Sequence, residues 1–173
     1  TNLEVDPMLT NVVAGDYSLL AGSPCIESGS VLTHPFMMND YEDNNRAVDS
    51  DENGSAIPDR GAIETTDLTL SVSNFALGQT ALIDVQSTNP STWAFGGLFL
   101  SLNRTPFYNG WWGMFGPDPT SVVSLLGAPG MQFQLPLPPN PAFSGTWVYT
   151  QFIGLKPIGQ GVLKGSGMSA NVL

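Results

Sequence analysis

The stretch NDYEDNNRAVDSDENGSAIPDRGAIE, residues 39–64, divides the chain into two parts of different character. It gathers acidic residues, asparagine and glycine around Arg46 and closes on an apolar phrase at 61–64. Before it the chain has short apolar phrases separated by glycine and proline, and after it the apolar runs are longer and alternate with polar residues. We therefore predict a domain boundary between an opening unit, 1–65, and a second unit, 66–173.

Composition indicates a folded chain built from short strands and turns. The 173 residues are enough for one ordinary domain or two small ones, and 42% of them are hydrophobic. The 19 glycines and 14 prolines together exceed the share found in an average globular protein. Such frequent interruption favours many short strands over helices. We therefore expect an all-β fold.

The charge balance argues against nucleic acid as a partner. The 15 acidic residues outnumber the 5 basic ones and give a net charge of -10, so we expect no nucleic-acid partner. No apolar run approaches the roughly 20 residues of a membrane-spanning helix, so we expect no membrane span. Low lysine with abundant threonine, serine, asparagine and glycine is typical of secreted bacterial β proteins, which predicts an extracellular or cell-surface location.

The second unit contains seven runs in which apolar and polar residues alternate. Alternation with a period of two is the pattern of antiparallel strands that bury one face, so the runs predict an antiparallel β-sandwich. We also predict a short helical turn at 120–126, and a strand that ends near Pro136 because proline cannot donate to a β-ladder. The predicted strands lie at 68–72, 81–85, 98–102, 131–135, 147–153, 161–164 and 168–173.

None of the short apolar phrases in the opening unit is long enough to pair into an independent sheet. A strand is predicted at 16–19, and two or three such short strands are only marginally stable in water. The unit must therefore pack against the second one, or cap a stack of strands supplied from elsewhere. Because its first phrase reads as the middle of a domain, we expect the chain to be a processed or truncated C-terminal piece of a longer protein.

Five short phrases in the opening unit occur in a recognisable order. They are VDP at 5–7, GDYSL at 15–19, GSPCIESG at 22–29, NNR at 44–46 and DRGAIE at 59–64. Together they resemble the final coils of secreted bacterial right-handed parallel β-helix proteins of the pectate-lyase-like superfamily, in the group with a choice-of-anchor Q domain. The resemblance implies that 1–65 forms terminal β-helix coils, followed by a small all-β C-terminal domain.

The resemblance also bears on function. Each coil of a solenoid buries its inward side chains against the next coil, so a terminal coil needs a neighbour. β-Helix lyases and hydrolases usually place their chemistry along the middle of the coil stack, and this chain resembles only its end. Glu27 stands where the group has aspartate, and Arg60 stands where it has a small apolar residue.

The acidic stretch contains the opening of a calcium loop, D-x-D-x-N-G, at 49–54. Oxygen ligands at alternate positions converge there because glycine permits a sharp turn. The twelfth position is Arg60 rather than glutamate, and no helices are predicted to flank the loop, so it is not an EF-hand. It is either a different kind of calcium loop or a solvated acidic turn. The candidate calcium ligands are Asp49, Asp51, Asn53 and Asp59.

Aromatic residues and glycines are interleaved at 107–116. Their rings could form a contact surface for a neighbouring protein, a stacking platform for sugars, or simply fold onto the sandwich. The candidate interaction residues are Tyr108, Trp111, Trp112 and Phe115.

No catalytic set stands out in the sequence. His34 is the only histidine, and no nucleophile or metal-ligand partner lies at motif spacing from it. Cys25 is the only cysteine, so no disulfide forms within the chain, and a small buried apolar role suits it best. We therefore predict that the protein is not an enzyme.

These observations favour a non-catalytic extracellular module for structure, assembly or surface adhesion. Its expected partners are other copies of itself or the rest of a longer precursor. The alternative is a carbohydrate-binding module of a polysaccharide-degrading β-helix enzyme, with glycans as ligands. Calcium is the one cofactor that the sequence suggests.

Overall fold

The computed structural model describes residues 4–30, 39–87, 90–111, 113–157 and 162–173. Within these ranges the chain forms twelve strands, three short 3-10 turns and no α-helix. The strands are β1 Leu9–Asn11, β2 Asp16–Leu19, β3 Leu68–Ser73, β4 Thr80–Ser87, β5 Phe95–Ser101, β6 Arg104–Asn109, β7 Gly113–Pro117, β8 Val123–Gly127, β9 Gln132–Pro136, β10 Trp147–Lys156, β11 Val162–Gly165 and β12 Ser169–Val172.

The strands form a five-stranded sheet, a three-stranded sheet and two hairpins. The five-stranded sheet has the order β11-β10-β5-β8, with β12 paired to another part of β10, and the smaller sheet has the order β3-β4-β9. Strands β1 and β2 form one hairpin, and β6 and β7 form the other. All of these strand pairs are antiparallel. The predicted all-β class is therefore confirmed.

The two larger sheets pack face to face as a sandwich. Their shared core contains Leu68, Ile83 and Val85 from the small sheet, and Leu98 and Phe152 from the large one. Each of these side chains is fully buried. Along β3, β4, β5 and β9 the residues that pack in this core alternate in sequence, as period-2 patterning requires.

All seven predicted runs of the second unit form strands, namely β3, β4, β5 and β9 to β12, and β9 ends on Pro136 as expected. The helical turn predicted at 120–126 is wrong. Val123–Gly127 forms strand β8 instead, where Leu125 lies opposite Leu98 of β5. Packing against a buried neighbouring strand outweighs the weak helical preference of adjacent leucines.

The first part of the opening unit contributes little to the core, whereas Ala47, Val48 and Ala56 of the acidic stretch are buried. Between residues 4 and 30 only Ser23 and Cys25 are buried, and the main core cluster contains no residue of this unit. The predicted strand at 16–19 is present as β2, paired with β1. The described residues of the unit contain no parallel ladder, so the β-helix coils implied by the resemblance are not shown. No helix in the described part of the chain could span a membrane.

Candidate functional site

The acidic turn at 49–54 is built around the buried Asp49 carboxylate. Its Oδ1 accepts the backbone N–H of Asn53 at 3.0 Å, and its Oδ2 accepts that of Gly54 at 2.8 Å. The two oxygens of Asp51 accept the backbone and side-chain amides of Asn53 at 3.1 and 2.9 Å. Gly54 has a φ of 91°, which lets the chain turn back sharply. The turn thus draws both aspartates to one side.

Glu27, from an earlier part of the opening unit, joins these aspartates. Its Oε1 accepts the Ser50 hydroxyl at 3.1 Å and the backbone N–H of Asp51 at 2.9 Å. Its Oε2 is buried without a hydrogen-bond partner. One carboxylate oxygen from each of Glu27, Asp49 and Asp51 lies within 4.8 Å of the other two.

The partly buried, crowded position of Glu27 raises the pKa of its carboxyl. Burial raises the pKa of its carboxyl, and the neighbouring carboxylates of Asp51 and Asp49 raise it further. The hydrogen bonds from Asp51 and Ser50 act in the opposite direction but do not cancel the increase. A cation held between the three carboxylates would offset the repulsion among them.

The structure brings together only some of the four predicted calcium ligands. Asp49 and Asp51 come together as expected, and Asn53 lies beside Asp51 through its side-chain amide. Asp59 lies outside this cluster, where its Oδ1 accepts the N–H of Glu27 at 2.7 Å and its Oδ2 accepts that of Thr65 at 2.8 Å. Spacing within the loop gives no signal for Glu27, which lies far away in sequence.

A second group of buried carboxylates lies beside the first. Asp40 accepts four hydrogen bonds, from the backbone N–H of Glu42 and of Asn44 at 2.8 Å, from the Asn44 side chain at 3.1 Å and from the N–H of Glu64 at 2.7 Å. Because both oxygens are occupied by structural donors, Asp40 fixes the fold of the stretch rather than facing a ligand.

Glu64 is the most strongly perturbed acid of this group. Its side chain accepts the N–H of Asp59 and lies 3.4 Å from Nε of Arg46. Burial raises the pKa of Glu64 to about 8, and the nearby Asp59 and Asp40 carboxylates also raise it, despite the opposing Asp59 hydrogen bond and Arg46 charge. Arg46 also donates to the carbonyl of Gly61 at 2.6 Å, which is the structural role expected of an arginine amid carboxylates.

We predict that Glu64→Gln flattens the dependence of stability on pH. The folded chain holds a proton on Glu64 between its ordinary value of 4.5 and about 8, whereas the unfolded chain releases it. The free energy of unfolding should therefore fall by up to about 1.4 kcal/mol per pH unit across this interval as pH rises. Urea unfolding at several pH values measures this slope.

The exposed Glu42→Gln variant serves as the control and should keep the wild-type slope. An unchanged slope in Glu64→Gln would show that Glu64 does not carry the extra proton.

Four charged side chains join the acidic stretch to the sandwich. Lys156 of β10 contacts Glu52 at 2.9 Å and also pairs with Asp67, while Lys164 of β11 lies 3.3 Å from Glu52 and 3.6 Å from Asp67. The Lys156 ammonium also lies 5.1 Å from the centre of the Trp93 ring. Burial opposes its charge, but the hydrogen bonds to Asp67 and Glu52 prevail and raise the pKa of Lys156.

Polar contacts also connect the two units. The side chain of Asn39 donates to the carbonyl of Met168 at 3.0 Å and accepts the N–H of the same residue at 3.2 Å. The hydroxyl of Tyr108 donates to the carbonyl of Ala56 at 2.5 Å. The stretch 39–64 is thus attached to the sandwich along several strands.

Two glycines allow close approach at the same junction. A Cβ on Gly167 would lie 1.6 Å from the carbonyl oxygen of Asp43, and one on Gly113 would lie 1.9 Å from that of Ala47. Since backbone atoms cannot give way as a flexible side chain can, only glycine fits at these two points.

The aromatic stretch divides into buried and exposed residues. Phe115 is buried, packing edge-on against Phe99 and tilted against Phe107, so its ring does not reach the surface. Tyr108 is half-buried at the junction described above. Trp111 is 68% exposed, and Phe107 is 38% exposed. Trp112 lies outside the described residues, as does His34.

Comparison of the chain with protein-family models, with curated proteins and with solved structures found no match. The likeness to the ends of pectate-lyase-like β-helices therefore remains a prediction from the motifs of the opening unit.

Proposed function

We propose that the protein is a non-catalytic structural module of an extracellular or cell-surface protein, with an opening unit that docks onto a further layer of strands. The observation that carries this proposal is the exposure of apolar side chains between residues 4 and 20. Val13 is fully exposed, and Val5, Val12, Tyr17 and Leu20 are each between 43% and 55% exposed.

This surface lacks a partner of its own. The β1–β2 hairpin pairs only with itself among the described strands, and a lone hairpin is marginally stable in water. Clustered exposed apolar residues mark contact sites on soluble proteins. A terminal β-helix coil, which the sequence motifs resemble, would present this kind of surface to the coil before it.

The further layer of strands that covers this apolar surface comes from the rest of a longer polypeptide or from another copy of the chain. All acidic residues except Asp84 and Asp118 precede β3, so two opening units carry like charges. Repulsion between them favours the rest of the same polypeptide over a second copy at this surface.

No reaction is proposed for the described residues. The buried carboxylates Asp40 and Asp59 accept hydrogen bonds at both oxygens from amide donors of the surrounding loops. Such bonding fixes loop shape and supports a structural use of the acidic stretch.

Limited proteolysis tests the proposed docking. Residues 4–20 should be cut readily in the 173-residue chain and protected in the protein isolated from its source. Val13→Lys should remove the protection, because a charge would enter an apolar contact, whereas Val172→Lys, at a partly exposed valine on β12, should not. Equal cutting of both forms would contradict the proposal.

We further propose that Glu27, Asp49 and Asp51 bind calcium and fasten the acidic turn at 49–54 to the segment that contains Glu27. Three carboxylates supply the hard oxygen ligands that calcium prefers, and Glu27 has a buried oxygen, Oε2, without a hydrogen-bond partner. Bound calcium would supply positive charge between oxygens that otherwise repel one another.

We predict that calcium raises the melting temperature and that a chelator reverses the increase. Calcium at about a hundredfold above its dissociation constant stabilises the folded state by about 2.7 kcal/mol, or roughly 5–10 °C for a chain of this size. Calorimetry with added calcium and then with chelator measures the shift. It should vanish in Glu27→Gln and persist in Glu42→Gln, and a chelator-insensitive melting temperature would rule the site out.

A glycan-binding module is the second candidate function. The exposed ring of Trp111 favours it, since sugars stack on open aromatic faces, and Tyr17 and Tyr41 border a separate surface cleft of about 570 Å³. Glycan-array binding that Trp111→Ala abolishes would support this candidate, and an array without binding would remove it.

A further inference from the structure

Strand β8 is an unprotected edge of the five-stranded sheet. Among the described strands it pairs with β5 alone, so its outer row of backbone N–H and C=O groups faces away from the sheet. Leu126 is 80% exposed and Val123 is 63% exposed. Proteins commonly guard such edges with charged residues, prolines or bulges.

Two other edges of the sandwich carry such guards, since strand β9 ends on Pro136 and β11 contains Lys164. Strand β3 has no such guard, but its exposed positions are threonine and serine rather than large apolar residues. Strand β8 has the sequence VSLLG, with no guard of any kind. No charged residue occurs anywhere between Asp118 and Lys156.

An apolar groove of about 410 Å³ opens beside this edge, between the two sheets. Val123 and Leu125 share one face of β8 by alternation, yet only Leu125 packs against the core. Leu102 and Phe143 also line the groove and are 57% and 39% exposed. The sandwich interior is therefore incomplete along β8.

We propose that β8 pairs with β8 of a second copy, antiparallel about a two-fold axis, to form one continuous sheet across a homodimer. A register centred on Leu125 pairs all five residues, and any shift leaves some of them without partners. In this register Ser124 of each copy lies opposite Leu126 of the other, so a small side chain faces a large one.

The absence of charge on β8 favours a second copy of the chain as its pairing partner. At β8 two chains meet through strands without charge, and nearly all the acidic residues that would repel lie in the opening unit. An isologous contact also needs a self-complementary strand, which the alternation of Ser124 and Leu126 provides. This surface is separate from the one proposed to dock the opening unit.

Sedimentation equilibrium across a wide range of protein concentration tests the dimer. The wild-type chain should show a reversible monomer–dimer equilibrium. Leu126→Lys should weaken it by about tenfold or more, because in the proposed register the two lysines replace apolar side chains at the paired edge. Leu126 is largely exposed, so the variant should keep the wild-type circular dichroism, and its melting temperature should match that of the wild type at concentrations where both are monomeric. Val172→Lys should leave the dimer intact.

A charge-rescue variant tests the register itself. Ser124→Glu combined with Leu126→Lys places opposite charges across the axis and should recover most of the lost association, at low salt above all. A monomer at every concentration would overturn the proposal, as would a dimer that Leu126→Lys does not weaken. Failure of Val13→Lys to affect docking would concern only the opening unit.

Discussion

Gly167→Ala should destabilise the protein by about 3 kcal/mol and lower its melting temperature by roughly 10 °C. The new Cβ would lie 1.6 Å from the Asp43 carbonyl oxygen and 3.0 Å from the Cα of Asn44. Both neighbours are backbone, so the acidic stretch must move away from the turn between β11 and β12. That movement would also strain the two hydrogen bonds between the Asn39 side chain and the backbone of Met168.

The matched control is Gly110→Ala. A Cβ there meets only the Tyr108 hydroxyl oxygen at an ordinary 3.9 Å, so the variant should stay within about 0.5–1 kcal/mol of wild type. Urea unfolding of the two variants gives the comparison. Equal stability of Gly167→Ala and wild type would mean that the acidic stretch is not pressed against the sandwich.

Lys156→Met should cost about 3 kcal/mol for an electrostatic reason. The side chain of Lys156 is 7% exposed, and its loss leaves Glu52 and Asp67 to share Lys164 alone. Methionine restores the packing volume of the aliphatic stem, so most of the loss reports an unpaired, partly buried carboxylate. Chemical unfolding at neutral pH measures it.

Adding Asp67→Asn to Lys156→Met should recover part of the loss, because the remaining Lys164 and Glu52 balance each other. The cost of the double variant should be smaller than the sum of the two single costs by about 1 kcal/mol or more. Arg104→Met, at an exposed basic residue on β6, controls for loss of positive charge alone and should be nearly neutral. Strict additivity of the two single costs would contradict a shared ion cluster.

The sequence predicted the strands that bury one face of the sandwich, because burial imposes a period of two on their side chains. It missed β6 and β7, since a proline within RTPFYN and two glycines within GMFGP break that pattern. It misread β8, whose adjacent leucines fit a helix as well as a strand until the neighbouring strand β5 is known.

At the candidate site, local spacing predicted only local geometry. The alternation of Asp49 and Asp51 brings their carboxylates together, and sequence alone suffices to predict this. Glu27 and the lysines that pair with Glu52 come from distant parts of the chain, so only the fold reveals them. Asp59 illustrates the converse, since its carboxylate is claimed by backbone donors that no spacing rule identifies.

Hydrogen exchange in the 173-residue chain, kept dilute enough to remain monomeric, tests most directly whether the opening unit lacks an interior of its own. Amides of β1 and β2 should exchange through local opening that costs little free energy, whereas those of β4, β5 and β10 should exchange only when the whole chain unfolds. Protection of the β1–β2 hairpin equal to that of β10 would contradict the account.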